Sequence, residues 1–236
     1  MRYIILSIYR IADLNIKIQN KYKYTSVLCK DYLSSETNFD FVAKASDEDI
    51  SKDRQFVPHA KESYLESLSI YRSICNKLIE YNGFILHASV VEKDGECYAF
   101  AAKSGTGKTT HSKLWLKRYP DARIINGDKP LIRFINNKPY VYGTPWCGKE
   151  NFNINTKSPL KSLCFIERAE NNSIVSISKE EAVSRIFSQL LVPEDPKQFN
   201  VLLDLVENLI NSVSTYLLKC NMDVSAAETA YEKMSK

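Results

Sequence analysis

Hydrophobic and polar positions alternate first near the N-terminus, where Ile11-Ala12-Asp13-Leu14-Asn15-Ile16-Lys17-Ile18 has the period of a half-buried strand. Tyr24 to Leu28 reads as a second strand, and the polar stretch Ser46 to Arg54 as a loop. From 60 to 81 the period changes. Tyr64, Leu65, Leu68, Tyr71, Ile74, Leu78 and Ile79 form a 3.6-residue stripe that predicts one long helix, and Asn82-Gly83 ends it.

The centre is built of short apolar runs. Strands are expected at Phe84 to Ser89 and Cys97 to Ala102, with a turn at Glu92-Lys93-Asp94-Gly95 between them. A loop over 103 to 107 and a helix from Lys108 to about Arg118 follow, then a strand at Arg123 to Asn126, taken as the immediate βαβ partner of Cys97 to Ala102. Further strands are expected at Leu131 to Ile135, Tyr140 to Tyr142, Leu163 to Glu167 and Ser173 to Ile177, with turns at Asn136-Asn137 and Asn171-Asn172. The end reads as helical: Ser178 and Glu181 form a capping box before one helix, Pro193 and Pro196 interrupt, and 198 to 213 and 223 to 234 carry two more helical patterns. The layout is an α/β core, with residues 1 to 60 as a β-rich N-terminal lobe and 61 to 236 as the main domain with C-terminal helices, the two forming one compact unit.

Composition narrows the class. Hydrophobic residues make up 44% and charged residues 25% of the 236, as in ordinary globular proteins. A net charge of +4, with Lys and Arg scattered among acids, gives no footprint for nucleic acid. The apolar run Tyr3 to Tyr9 is closed by Arg10, too short for a membrane span or a secretory core, so the expected compartment is the cytoplasm, with no membrane partner. Six dispersed cysteines without a CxxC, and three histidines not at ligand spacing to them, speak for reduced thiols rather than a structural zinc site; Cys147 stands out because it lies in a Gly-rich loop.

The chemistry concentrates at 102-AKSGTGKT-109. It matches the phosphate-loop pattern G-x-x-x-x-G-K-[ST] everywhere but its first position, where Ala102 stands, and it has the required strand before and helix after. Ala102 is the strand's last residue, where a methyl group fits if φ stays negative. Gly105 and Gly107 let successive N–H groups turn toward an anion, and the helix start adds its positive dipole end. Ser104, Gly105, Thr106, Gly107, Lys108, Thr109 and Thr110 are the expected nucleotide-binding residues, with Lys108 at the β- and γ-phosphates and the Thr109 hydroxyl on Mg²⁺. Of seven glycines, Gly105, Gly107, Gly127, Gly143 and Gly148 cluster here, as if a ligand approached the backbone. Asp128, twenty residues past Lys108, is the neighbouring carboxylate that a Mg-nucleotide site needs.

These motifs resemble two related groups, phosphoenolpyruvate carboxykinases and HPr serine kinases, and above all the small HPr-kinase-like proteins, some of which phosphorylate a serine of a precursor peptide. The resemblance rests on His87-Ala88-Ser89, Ser104 to His111, Asp128-Lys129-Pro130 and Gly143-Thr144-Pro145-Trp146-Cys147-Gly148-Lys149, and covers roughly residues 60 to 170. It implies a P-loop core with a mixed sheet, ATP and Mg²⁺ as cofactors, and transfer of the γ-phosphoryl group to a hydroxyl of a peptide or small protein. It implies Asp128, His87 and Lys108 as catalytic residues and Thr109 with Asp128 as the metal ligands. A histidine in an apolar run is otherwise most simply a packed core residue, and His111 reads as packing or solvent-facing. Lys149, at the tip of its loop, and Arg168, at a strand end, are candidate cations toward the substrate; the plainer alternatives are a surface turn for the first and a surface pair with Glu167 or Glu170 for the second. The chain departs from the pattern at Gly127, where such kinases carry a second acid, so Asp128 would cover both duties or draw on Glu150 or His87. Alternatives are therefore a nucleotide-binding module with little transfer activity, or a kinase of free serine or a sugar. Hexamers are known among HPr kinases, but no residue here fixes an oligomeric state.

Overall fold

The computed structural model describes residues 4–236. These divide into two compact units, one ending at Tyr81 and one running from Asn82 to Lys236, so the long helix grouped with the main domain on sequence grounds counts with the first unit.

In the first unit, β1 (Ile5–Ile11) and β2 (Leu14–Asn20) form an antiparallel hairpin with Ile5 opposite Asn20. Ala12 and Asp13 both have positive φ, 53° and 60°, the backbone of a tight turn that matches strand twist. The alternation read as one strand from 11 to 18 is thus the turn and most of β2, whose Leu14, Ile16 and Ile18 point inward. The expected strand at 24 to 28 is instead a helix, α1 (Lys23–Leu28). β3 (Phe41–Lys44) runs parallel to β2. The expected loop at 46 to 54 is also helical: α2 (Asp47–Phe56) begins at a capping box in which the Ser46 side chain accepts from the Asp49 N–H while the Asp49 carboxylate takes the Ser46 N–H. Its polarity is that of a surface helix showing only Ile50 and Asp53 inward. α3 (Glu62–Leu78) buries most of the predicted stripe, Leu65, Ile74 and Leu78 having no exposed surface, while Tyr64 at its start is exposed. Buried Glu66 on α3 accepts the N–H groups of Lys21 and Tyr22 at 2.6 and 3.1 Å.

The second unit is mixed α/β. Its strands are β4 (Gly83–Ile85), β5 (Ala88–Lys93), β6 (Glu96–Ala101), β7 (Arg123–Asn126), β8 (Leu131–Ile135), β9 (Lys138–Tyr142), β10 (Lys157–Arg168), β11 (Ser173–Ser176) and β12 (Ser214–Cys220). Its helices are α4 (Lys108–Arg118), α5 (Lys179–Phe187), α6 (Pro196–Ser212) and α7 (Ser225–Met234). The strand order is β4-β8-β9-β10-β6-β5-β7, with β12 on β10 and β11 on β12. The long β10 pairs with β9 through its first residues and with β6 and β12, both parallel, through the rest. The expected turns at Asp94-Gly95 and Asn136-Asn137 join hairpins and take positive φ throughout.

Three expectations fail. The one strand expected at Phe84 to Ser89 is two, β4 ending at Ile85 beside β8 and β5 starting at Ala88 beside β6 and β7, with His87 in the gap. β7 is not the immediate neighbour of β6, because β5 lies between and is antiparallel to both. Nor is the end wholly helical: Ser214–Cys220 is a strand paired parallel to β10 and antiparallel to β11, whose apolar run follows α6 with neither Gly nor Pro to mark the change.

Trp115 of α4, with no exposed surface, centres the core on Tyr98 and Phe100 of β6 and Ala226, Ala227 and Ala230 of α7. Three alanines let α7 come close beside the indole. Cys164, Ile166, Tyr216, Leu218 and Cys220 join this cluster. Their alternates point the other way, where Arg185 of α5 lies 6.0 Å over the Phe165 ring.

Gly143 is the tightest point of this unit. A Cβ there would lie 1.9 Å from the Ile154 carbonyl oxygen and 2.8 Å from that of Ile125. Gly143→Ala is expected to destabilise the protein by about 3 kcal/mol, read as a lowered urea midpoint; an unchanged midpoint would contradict the close approach.

Candidate functional site

Strand register brings the sequence candidates to one edge. Ala88 pairs with Ala101, so the start of β5 lies beside the end of β6, and His87 sits just before it. Val90 pairs with Asn126, so the end of β7, followed by Asp128, lies at the same edge. The parallel strands β6, β10 and β12 all end there, the side on which open α/β sheets hold ligands.

Between β6 and α4, the 103–107 loop turns on Gly105 (φ 78°) and Gly107 (φ 127°). A Cβ at either would meet nothing within 4 Å, so conformation rather than crowding selects glycine. Ala102 is not among the positive-φ residues, as its place at a strand end requires. No side chain caps α4 at Gly107, which leaves its first N–H groups open. Lys108 is only 7% exposed, and its Nζ donates to the Ala102 carbonyl at 2.9 Å. Burial pushes its pKa below the ordinary lysine value, opposed by the charge of Asp128. Thr109 is half-buried, and Ser104 and Thr110 are exposed.

Half-buried Asp128 accepts from His87 Nε2 at 3.1 Å through Oδ1. Burial works against its ionisation, but the His87 hydrogen bond and the charges of Lys129 and Lys108 outweigh it, holding the carboxyl below the usual range. The backbone locks the pair: the His87 N–H donates to the Gln189 carbonyl at 2.8 Å and the Ala88 N–H to the Asp128 carbonyl at 3.1 Å.

Asn126, which the sequence reading passed over, sets the turn that carries Asp128. Its Oδ1 accepts the N–H groups of Asp128 and Lys129 at 2.9 and 2.8 Å, and its Nδ2 donates to the Thr144 carbonyl and Oγ1, both at 3.1 Å. The 143–150 loop is thereby tied to the site. Gly148 (φ 81°) approaches so closely that a Cβ would lie 3.1 Å from the Asp128 Cβ. Lys149 is exposed on the turn that follows. Glu150 does not support Asp128: it pairs with Lys113 of α4 at 2.9 Å. Cys147 is buried beside them, its thiol pushed up by burial and by the Asp128 charge.

Arg168 takes neither surface partner weighed for it. Its Nε donates to the Thr106 carbonyl at 3.0 Å and its other nitrogen to the Gly105 carbonyl, while Glu167 pairs with Arg185. In each peptide unit C=O and N–H point opposite ways. With the 106 carbonyl held by Arg168, the Gly107 N–H points away from that guanidinium. A cavity of about 810 Å³ lies along the loop between Ser104, Arg168, Arg185 and Gln189, and a second, of about 420 Å³, lies beyond Arg168.

No family model and no curated protein matches this chain. Among solved structures it is similar to the HPr(Ser) kinase/phosphatase from Coxiella burnetii, at 14% identity over 53% of this chain and 89% of that one, with a TM-score of 0.32. At that score the likeness decides nothing about the site, whose chemistry rests on the residues above.

Gly127, where a second acid was looked for, is glycine for a physical reason. A Cβ there would lie 3.0 Å from the Cys147 carbonyl oxygen and 3.3 Å from the Phe152 Cβ, and the Gly127 N–H already donates to the Phe152 carbonyl at 2.8 Å. Gly127→Asp is expected to lower stability by about 1–3 kcal/mol without raising any phosphoryl-transfer rate. A variant that is as stable as the parent and faster would overturn this account.

Proposed function

We propose that this protein is a P-loop kinase that binds Mg-ATP and passes the γ-phosphoryl group to a hydroxyl, most naturally a serine of a peptide or small protein. The observation that carries it is the hydrogen-bonded His87–Asp128 pair set at one sheet edge with buried Lys108 and the uncapped start of α4. A buried ammonium with a single carbonyl partner gains most from an anion, and open helix N–H groups add donors for one.

The 104–110 amides and Lys108 hold the phosphates. Among the described residues no cluster of three or more His, Cys, Asp or Glu would bind a metal unaided. Thr109 and Asp128 would hold Mg²⁺, a cation that needs only one or two protein ligands, and it would offset the charge of the phosphates. In the transfer the acceptor oxygen forms a bond to the γ-phosphorus as the bond to the β-bridging oxygen breaks, ADP leaves, and the hydroxyl proton passes to Asp128. Oδ1 of that carboxylate is taken by His87, so Oδ2 is the oxygen left for the acceptor. Lys149 stands at the rim as a candidate substrate contact, while Arg168 braces the loop through the Gly105 and Thr106 carbonyls instead of reaching the substrate.

A second reading, a nucleotide-binding module with little transfer activity, is favoured by the single acid beside crowded Gly127. Labelled ATP with a serine-bearing peptide separates the two: label on the peptide supports the kinase, and nucleotide binding without transfer to any hydroxyl acceptor supports the module.

Two outcomes are expected. Lys108→Ala lowers ATP affinity and transfer by at least about 100-fold while thermal stability is kept, because a desolvated charge is removed; unchanged binding would sink the site assignment. The Asp128 carboxylate is held ionised below the usual carboxylate pKa, so its contribution to rate is full at neutral pH and is lost only as pH falls through that depressed value. In His87→Ala one of the influences that lower this pKa is lost, and the acid limb of the rate–pH profile moves to higher pH. A limb that stays in place or moves down would contradict the role given to His87.

A further inference from the structure

The 420 Å³ cavity beyond Arg168 is lined by Thr106, Thr110, His111, Ile166, Asn221 and Met222, among others. Its volume falls in the range of small-ligand pockets, roughly 300–1,000 Å³. One side is apolar, and Met222, which is 79% exposed, also lines it. The other side is the first turn of α4.

His111 gives this cavity a chemical preference. It is 2% exposed, and the indole N–H of Trp115 donates to its Nε2 at 3.0 Å. An indole nitrogen only donates, so Nε2 must be the lone-pair nitrogen and the ring proton must sit on Nδ1. A ring whose Nε2 accepts from the indole is the neutral imidazole. The Nδ1–H is then a buried donor that finds no acceptor in the protein. Such a group costs stability unless a ligand or water completes it.

We propose that this cavity receives the nucleoside of the phosphoryl donor, with the His111 Nδ1–H donating to an acceptor atom of the ribose or base and Met222 lying against the base. The proposal rests on the phosphate-site reading above, which fixes direction. The acid end of the site is marked by His87 and Asp128, and the 810 Å³ cavity belongs to that end because Gln189, which lines it, holds the His87 N–H. A phosphate chain that starts there and runs along the loop leaves over Thr110, into the smaller cavity. The larger one is left for the acceptor.

The test is calorimetric titration of the full chain with ATP, adenosine and inorganic tripolyphosphate, each with Mg²⁺. ATP is expected to bind at least about tenfold tighter than tripolyphosphate, the worth of a hydrogen bond and some apolar contact. Met222→Ser and His111→Phe should each weaken ATP about threefold to tenfold while tripolyphosphate stays unchanged. The His111 Nδ1 proton resonance should shift with ATP or adenosine but not with tripolyphosphate. Met222 is exposed, so its variant remains informative if His111→Phe folds poorly. Equal affinity for ATP and tripolyphosphate, or equal losses for both in Met222→Ser, would overturn the nucleoside cavity and leave the phosphate site standing. Failure of both to bind the parent protein would overturn the phosphate site and this proposal with it.

Discussion

One buried amide holds the site in register. Asn126 has no exposed surface, and its side chain joins the turn bearing Asp128 to the loop bearing Gly148. Both of its polar ends are used, which is the condition for a buried amide to specify a single arrangement rather than weaken the fold. The rest follows from how close the two segments must come. Gly143, Gly127 and Gly148 each lie where a side chain would meet the opposite backbone or Asp128 itself. A chain with so few glycines places three at this one contact.

That constraint also explains the electrostatics. Asp128 sits where burial alone would raise its pKa, and it stays ionised because His87, Lys129 and Lys108 face it. Lys108 in turn is buried beyond what its carbonyl partner compensates. A protein with no use for an anion at this edge would gain by letting that lysine reach solvent. Its burial and the uncapped helix beside it support the phosphate site proposed above.

The legible parts of this sequence were those where local backbone chemistry decides the outcome. The turns at Asp94-Gly95 and Asn136-Asn137, the glycines of the 103–107 loop, and the stripe of α3 each follow from residues close together in the chain. The illegible parts were decided by distant partners. The strand Ser214–Cys220 looks like more of its helix until β10 and β11 are seen pairing with it on either side. The helix α2 was hidden by its polarity, though Ser46 and Asp49 already spelled its cap. In the candidate site, His87 was singled out by resemblance and Asp128 by its distance from Lys108, and the fold brings the two together. Asn126 was not, because nothing in a sequence distinguishes a buried asparagine at a strand end from one in a loop.

Arg168 shows how a functional candidate changes meaning in three dimensions. From the sequence it was a cation near the site, free to touch a phosphoryl group or to pair on the surface. In the fold its guanidinium is committed to the carbonyls of Gly105 and Thr106. To reach a phosphate it would have to release both, and the loop would lose the contact that turns its carbonyls outward. As a brace it acts without moving. Each carbonyl held by the guanidinium turns the following N–H away from it; that of Thr106 donates to the Lys103 carbonyl at 3.1 Å, and that of Gly107 points away from Arg168, as the proposed phosphate site requires. The planar fork of an arginine can span two successive carbonyls where a lysine would hold one. A charged residue at this position therefore suits an anion site even if it never contacts the anion, because it sets the direction of the neutral dipoles that do.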